Sequence, residues 1–443
     1  MDLMILLSRY FLTYVSVMII IFIVTFCEPI NTNMQKYSTR RITWIYKALM
    51  FLVTLSMILL VYNEPEHMLD IGLNYCAIIV MISALNIQLK RYDRPQYYIG
   101  GYTIAFLLIT SQIMLTRLDI YLASRQLLWI GFAVVVGFSF AKILPLIIKY
   151  NIYNIYCAII VVILCLPFIF GEVKYGALNW ATIGPVAFQP SELVKVLYII
   201  VLSQFLTELE QENTIKKILA LTAIVSLILV IQRDLGTALV YILTSFILVY
   251  VATNKIIIPI AGLLIGAIGF LLLASILEYV QLRIEAWLYP WENMDGSAYQ
   301  LVQGFFAMGT WGAMGSGLGR GMSSKVPLIT TDFIYVAIVE ELGTIIGLCV
   351  ISCYIILTLW AGVIASRHHN ELFRYITFGY ITFLTIQTFI ILGGILQLIP
   401  LTGVTLPLVS YGGSSMFSSM CMILTIIHLD LHKDMEIEEI VNE

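Results

Sequence analysis

The chain has 443 residues, of which 60% are hydrophobic and only 12% charged, with a formal net charge of −3. A soluble domain carries about twice that charge fraction, so the soluble classes are excluded, and the slight negative balance gives no footing for nucleic acid. Seven cysteines fall in or beside apolar runs without a CxxC pair, and five histidines lack ligand spacing. This pattern reads as small hydrophobes inside helices, with no metal site.

In chain order, thirteen apolar runs approach the roughly 20 residues that a bilayer crossing needs. They cover roughly 5–27, 44–62, 69–87, 99–116, 126–148, 153–171, 191–207, 214–231, 235–253, 256–280, 333–364, 372–396 and 404–429. The run at 191–207 is the weakest, since it opens with Ser191 and Glu192 and contains Lys195. No small-residue cleavage site follows the first run, so that helix is expected to stay as an anchor. The predicted fold class is all-α, a polytopic integral membrane helix bundle.

Lys and Arg in the short connections set the orientation. Lys36, Arg40 and Arg41, then Lys90, Arg91 and Arg94, then Lys216 and Lys217, Lys255, and Arg367 with Arg374 all fall on one side, the cytoplasmic one. Thirteen crossings then put the N-terminus outside, the C-terminal tail inside, and the stretch 281–332 outside. The basic link QLKRYDRPQYY divides an N-terminal transmembrane block, 1–95, from a core, 96–432, followed by a short acidic tail, 433–443.

The stretch 281–332 breaks the apolar pattern with Arg283, Glu285, Glu292, Asp295, Arg320, Lys325 and Asp332 among closely spaced glycines and aromatics. Long loops without structure of their own are either functional or disordered, and this composition is not that of disorder. It is the expected working site. Four further stretches carry ionisable or helix-breaking residues beside membrane runs, where such residues are costly and point to function. In GALNWATIGPVAFQPSELVKV, Glu192 sits in the first turn of a helix and Lys195 three residues on, on the same face; an internally satisfied ion pair is the equally weighted structural reading. IQRDLGTALV places Arg233 and Asp234 between two helices, and a solvated hinge explains them as well. In TTDFIYVAIVEELG, Asp332 precedes a helix that contains Glu340 and Glu341, two carboxylates that need cationic partners, with Arg233, Lys195 or Arg320 available. PLTGVTLPLVSYGGSSMFSS, with Ser410 and Tyr411, breaks a helix at membrane depth, which is tolerated only inside protein or along a cavity.

Together these stretches, with YQLVQGFFAMGTWGAMGSGLGRGMSSK, resemble the SEDS family (shape, elongation, division and sporulation), the bacterial group of FtsW, RodA and SpoVE. Five motifs stand in the family's order from about residue 99 to 430. The resemblance implies a ten-helix core with about three extra N-terminal transmembrane helices. It further implies a peptidoglycan glycosyltransferase in the bacterial cytoplasmic membrane that polymerises lipid II at the outer face for division, elongation or sporulation, usually with a class B penicillin-binding protein. Such chemistry needs a base for the acceptor hydroxyl and positive charge for the departing pyrophosphate. The cations on offer are Arg283, Arg320, Lys325, Arg233 and Lys195, supported by Glu192, Asp234, Asp332, Glu340, Glu341, Ser410 and Tyr411. No organic cofactor is called for, with a divalent cation as an optional assistant.

The family carries its catalytic Asp in patterns like P-W-x-D-x-x-G-x-x-Y-Q. Aligning Trp291, Gly296, Tyr299 and Gln300 with that pattern puts Asn293 where the Asp belongs, and an amide has no ionisable site near neutral pH. Three accounts stay open: Asp295 acts after a small shift of the loop, Glu292 acts instead, or the chain is a catalytically impaired member that binds lipid II or a penicillin-binding protein as a scaffold. Asp295 precedes Gly296, and Asp-Gly is also a favoured turn pair. A lipid-linked precursor flippase ranks last, because the broken segments at 176–192 and 400–415 do not resemble each other as inverted repeats would.

Overall fold

The computed structural model describes residues 3–25, 35–92, 94–149, 153–173, 176–184, 186–209, 213–322 and 325–442. Helices dominate: α1 (Leu3–Val24), α2 (Gln35–Asn63), α3 (Met68–Tyr92), α4 (Pro95–Leu118), α5 (Ile120–Lys149) and α6 (Tyr153–Phe170). A small hairpin, β1 (Ala181–Ile183) and β2 (Val186–Phe188), precedes α7 (Pro190–Thr207), α8 (Thr214–Ile231), α9 (Leu235–Thr253) and α10 (Ile257–Ile276). The chain ends with α11 (Glu278–Leu288), α12 (Tyr299–Thr310), α13 (Ile334–Leu342), α14 (Thr344–Arg367), α15 (Glu371–Ile395) and α16 (Gly413–Asn442). Thirteen helices among the described residues are long and apolar enough to span a bilayer, and the protein is a multi-pass membrane protein.

The weak run at 191–207 holds as a full helix, started by Pro190 at the first helical position, where a missing N–H costs nothing. Two expectations change. The run at 333–364 is two helices, because Gly343, at φ +95°, separates the nine-residue α13 from the spanning α14. Nor is 281–332 structureless, since α12 and most of α11 fall within it. Pro185, Ser323 and Ser324, which belong to the motifs above, lie outside the described residues, as do residues 28–34 of the first basic connection. The backbone of the acidic tail continues α16 as far as Asn442.

The chain forms two compact units. One comprises residues 1–129, 289–360 and 408–412. Its central element is α4, whose most apolar 18-residue window is entirely buried by protein. Thr103, Thr110, Ser111, Gln112 and Thr116 occupy that helix, and such a polar content suits an interior span better than a lipid-facing one. The helices α1, α2, α3 and α13 pack on α4.

The other unit comprises 130–288, 361–407 and 413–443, with α7, α9 and α15 at its centre. Tyr198, Tyr241 and Phe383 form an edge-to-face chain there, with ring centroids 4.8 and 5.1 Å apart. The Tyr198 hydroxyl lies 2.6 Å from the Ser245 hydroxyl and 2.9 Å from that of Thr222, so its polar end is satisfied. In contrast, α10 packs on α9 and leaves Leu263, Leu264, Leu271 and Leu272 exposed, the composition of a lipid-facing helix.

Candidate active site

The first unit contains Asp295, Glu292, Asn293, Arg320, Lys325, Asp332, Glu340, Glu341, Ser410 and Tyr411; the second contains Arg283, Arg233, Lys195, Glu192 and Asp234.

In the first unit, a turn carries the carboxylates. The Asn293 carbonyl accepts from the Gly296 and Ala298 N–H groups at 3.1 and 3.2 Å. The Asn293 side-chain amide donates to the Tyr289 carbonyl at 3.1 Å. This position therefore uses the one thing an amide has that a carboxylate lacks, a donor. Asp295 and Glu292 are both exposed, and no side-chain hydrogen bond or ion pair among the described residues engages either. Trp291 packs beside them against Phe305 and Phe306 of α12, with centroids 6.1 and 6.0 Å away.

Beyond α12, the glycine-rich segment wraps around the end of α13. Backbone N–H groups of Ser316 and Gly317 donate to the Glu340 and Glu341 carbonyls at 2.8 and 2.9 Å. The side chains take the next two donors: Glu341 Oε2 accepts from Gly319 N at 2.6 Å and Glu340 Oε1 from Met322 N at 2.8 Å. A Cβ on Gly321 would lie 2.6 Å from Glu341 Cγ, so the approach admits only glycine. The two carboxylates hold this loop, and Arg320 is exposed between their two anchor points.

The partner of Glu341 is a residue absent from the candidates above. Arg117, in the last turn of α4, places Nε 3.3 Å from Glu341 Oε1 and Nη1 3.3 Å from Glu64 Oε1. Its signal in the sequence was a basic residue ending a polar-rich span. Burial pushes the Glu341 carboxyl up to about 7, against the pull of Arg117 and the Gly319 N–H, with the Glu340 charge adding to the rise.

The segment 408–412 is similarly tied down within this unit. Gln126 donates to the Ser410 carbonyl at 3.0 Å and accepts from Gly412 N at 3.4 Å, while Ser111 donates to the Val409 carbonyl at 2.6 Å. Tyr411 N donates to the Thr330 carbonyl at 2.9 Å, and the Ser410 hydroxyl donates to that of Thr331, just before Asp332. Burial raises the Tyr411 hydroxyl, and the Arg125 charge opposes it.

In the second unit, Glu192 and Lys195 form the closed pair that their spacing allows. Nζ lies 2.5 Å from Oε2, with side chains 1% and 9% exposed. Gln387 Oε1 accepts from Lys195 at 3.2 Å, and the Ser418 hydroxyl donates to Glu192 at 2.9 Å. Asp234 caps α9 by accepting from Thr237 N, and its other oxygen receives Asn179 at 2.8 Å and Gln189 at 3.0 Å. It fastens the segment around the hairpin to the helix start. Arg233, at φ +63°, lies over the Tyr279 ring at 5.6 Å. Arg283 donates to the Thr402 carbonyl at 3.3 Å, and both guanidiniums pull down a Tyr279 hydroxyl that burial raises. These two cations share one neighbour. Among the described residues, no group of three or more His, Cys, Asp or Glu gathers as a metal site.

The family model described as cell cycle protein, covering FtsW, RodA and SpoVE, matches residues 95–435. The chain belongs to this family. Its relatives include stage V sporulation protein E of Bacillus subtilis, 33% identical over 315 residues, 67% of this chain and 83% of that protein. A probable peptidoglycan glycosyltransferase FtsW of Francisella salina is 32% identical over 354 residues, 74% of this chain and 86% of that one. The peptidoglycan glycosyltransferase RodA of Mycobacterium tuberculosis is 33% identical over 264 residues, and the chain spans 56% of that protein's length. Among solved structures, a chain from a peptidoglycan synthase complex that coordinates polymerization and crosslinking aligns with a TM-score of 0.63 at 23% identity, covering 75% of this chain and 97% of that one. Rod shape determining protein RodA of Thermus thermophilus aligns with a TM-score of 0.58 at 22% identity, covering 75% and 96%. At these identities the structures establish the shared fold. The matched residues begin at 95, so α1, α2 and α3 are additional to this FtsW/RodA/SpoVE member's family core.

Proposed function

We propose that the chain is a peptidoglycan glycosyltransferase that polymerises lipid II at the outer face of the cytoplasmic membrane, with Asp295 as the base. The enzyme class follows from membership in the family. The observation that places the base in this turn is a satisfied amide at Asn293 flanked by two exposed, unengaged carboxylates, Glu292 and Asp295, which the variants below tell apart. In the reaction, a carboxylate takes the proton of the acceptor hydroxyl as its oxygen bonds to the donor sugar's anomeric carbon. The bond from that carbon to the pyrophosphate oxygen breaks with inversion, and the lipid pyrophosphate leaves towards cations. Arg320 and Lys325 supply that charge from the loop. Lys195, fully buried and matched by Glu192, is a structural cation in this reading.

The outer placement of the loop and N-terminus is supported by the most basic connections, such as 28–43, 88–97 and 207–217, which fall on the opposite side. A class B penicillin-binding protein is the expected partner, by analogy with the synthase complex whose chain shares the fold. Asn293 itself favours a second reading, a member that binds lipid II or its partner without chemistry. Lipid II polymerisation by the purified protein, with and without the neighbouring penicillin-binding protein, separates the two. Glycan made by the wild type and lost in Asp295→Ala but not Glu292→Ala supports the enzyme; no glycan from the wild type with its partner present refutes it.

A further inference from the structure

We propose that Asn63 and Glu64, at the end of α2 in the N-terminal block, are positioning residues that brace the glycine-rich loop and set Arg320. The inference rests on the polymerase reading for Arg320's role, but its geometry stands on one peptide group. The carbonyl of Leu318 accepts from Asn63 Nδ2 at 2.9 Å, and the N–H of the next residue, Gly319, donates to Glu341 Oε2 at 2.6 Å. These are the two ends of the single peptide plane that joins Leu318 to Gly319, one residue before Arg320. One end is held by the family core and the other by a helix outside it.

Three further contacts mark the same grip. Gly319 lies at φ +81°, and a Cβ there would sit 2.4 Å from Asn63 Nδ2, so the amide is pressed directly onto the loop backbone. The Arg117 guanidinium that pairs with Glu341 also pairs with Glu64, which joins the block to the loop's other anchor through one charge. On α1, Arg9 Nε donates to the Met314 carbonyl at 3.4 Å. A planar peptide with both polar ends occupied has little rotational freedom, so the loop backbone that leads into Arg320 inherits that constraint. Pre-organising a charged clamp lowers the cost of engaging its substrate.

The test uses the full-length protein in three variants: Asn63→Ala, Asn63→Asp and Glu64→Gln. Asn63→Asp keeps the shape and removes the donor, so packing alone predicts that it is tolerated, while the brace predicts that it fails like Asn63→Ala. The expected result is faster backbone amide exchange across 318–322 in both Asn63 variants, with KM for lipid II raised roughly 5-fold and kcat little changed. Glu64→Gln, which weakens the shared charge, is expected to move both readouts in the same direction by less. Unchanged exchange, or an Asn63→Asp protein with wild-type KM, overturns the brace. If the wild type makes no glycan, the polymerase reading falls, and amide exchange alone decides the brace: faster exchange in both Asn63 variants upholds it and unchanged exchange removes it.

Discussion

Glu341 is the point where burial, charge and the loop's backbone meet, and replacing it with glutamine isolates the charge. Its side chain is fully buried and its carboxyl is raised to about 7, while an unfolded chain returns it to 4.5. A carboxyl raised on folding binds its proton more tightly in the folded state. Its contribution to stability is therefore fully present below pH 4.5 and is withdrawn as the pH rises through about 7. The amount withdrawn is on the order of 3 kcal/mol, because each pH unit between the two values is worth about 1.36 kcal/mol. Glu341→Gln retains an oxygen to accept from Gly319 N and mimics the protonated form. The variant is thus expected to lose the pH dependence while keeping the loop in place. Amide exchange across 315–322, corrected for its intrinsic pH dependence, reads the opening of the loop directly. Protection in the wild type should fall between about pH 4.5 and about pH 7, and protection in the variant should stay level. Infrared difference spectra of wild type against variant give the carboxylic C=O band itself. A band that titrates with ordinary carboxylates near 4.5, or equal pH dependence in the two proteins, would refute the argument that burial outweighs Arg117.

Asp295→Ala is expected to lower lipid II polymerisation by roughly 10²- to 10⁴-fold, the usual worth of a general base, and Glu292→Ala to leave it near wild type. Equal losses in the two would move the base assignment away from Asp295. Asn293→Asp replaces the donor facing the Tyr289 carbonyl with an acceptor, and at this exposed site should cost only about 0.5–1.5 kcal/mol; a gain in both thermal stability and activity would show instead that the position still belongs to the family's Asp. Lys195→Ala strands a buried carboxylate and should destabilise by about 3–5 kcal/mol. The double variant Glu192→Gln/Lys195→Met should cost less than that single change in detergent melting curves, and a cost equal to or above it would argue against a closed pair. Gly321→Ala puts a Cβ against Glu341 and is expected to release Gly319 and Met322 from the carboxylates, read as lost protection across the loop and reduced turnover.

Much of this protein is determined locally and was legible in the chain alone. Thirteen apolar runs gave thirteen spanning helices because lipid leaves a crossing segment no other way to satisfy its backbone. The pairing of Glu192 with Lys195 followed from helical spacing, and the break before α7 from its prolines. The same local logic flagged the polar loop and the family motifs within it. Tertiary structure decided what those residues touch. Glu340 and Glu341 looked like carboxylates in want of Arg233, Lys195 or Arg320, but Glu341 is paired with Arg117, 224 positions away in sequence and brought there by the packing of α13 on α4. Asn293 read only as a missing acid until its amide was found donating to Tyr289. Nor does any local pattern announce that Asn63 would close on the peptide before Arg320. Periodicity and hydropathy specify how each segment sits in its own surroundings, whereas a hydrogen bond between distant segments depends on the placement of both, which only the packed chain fixes.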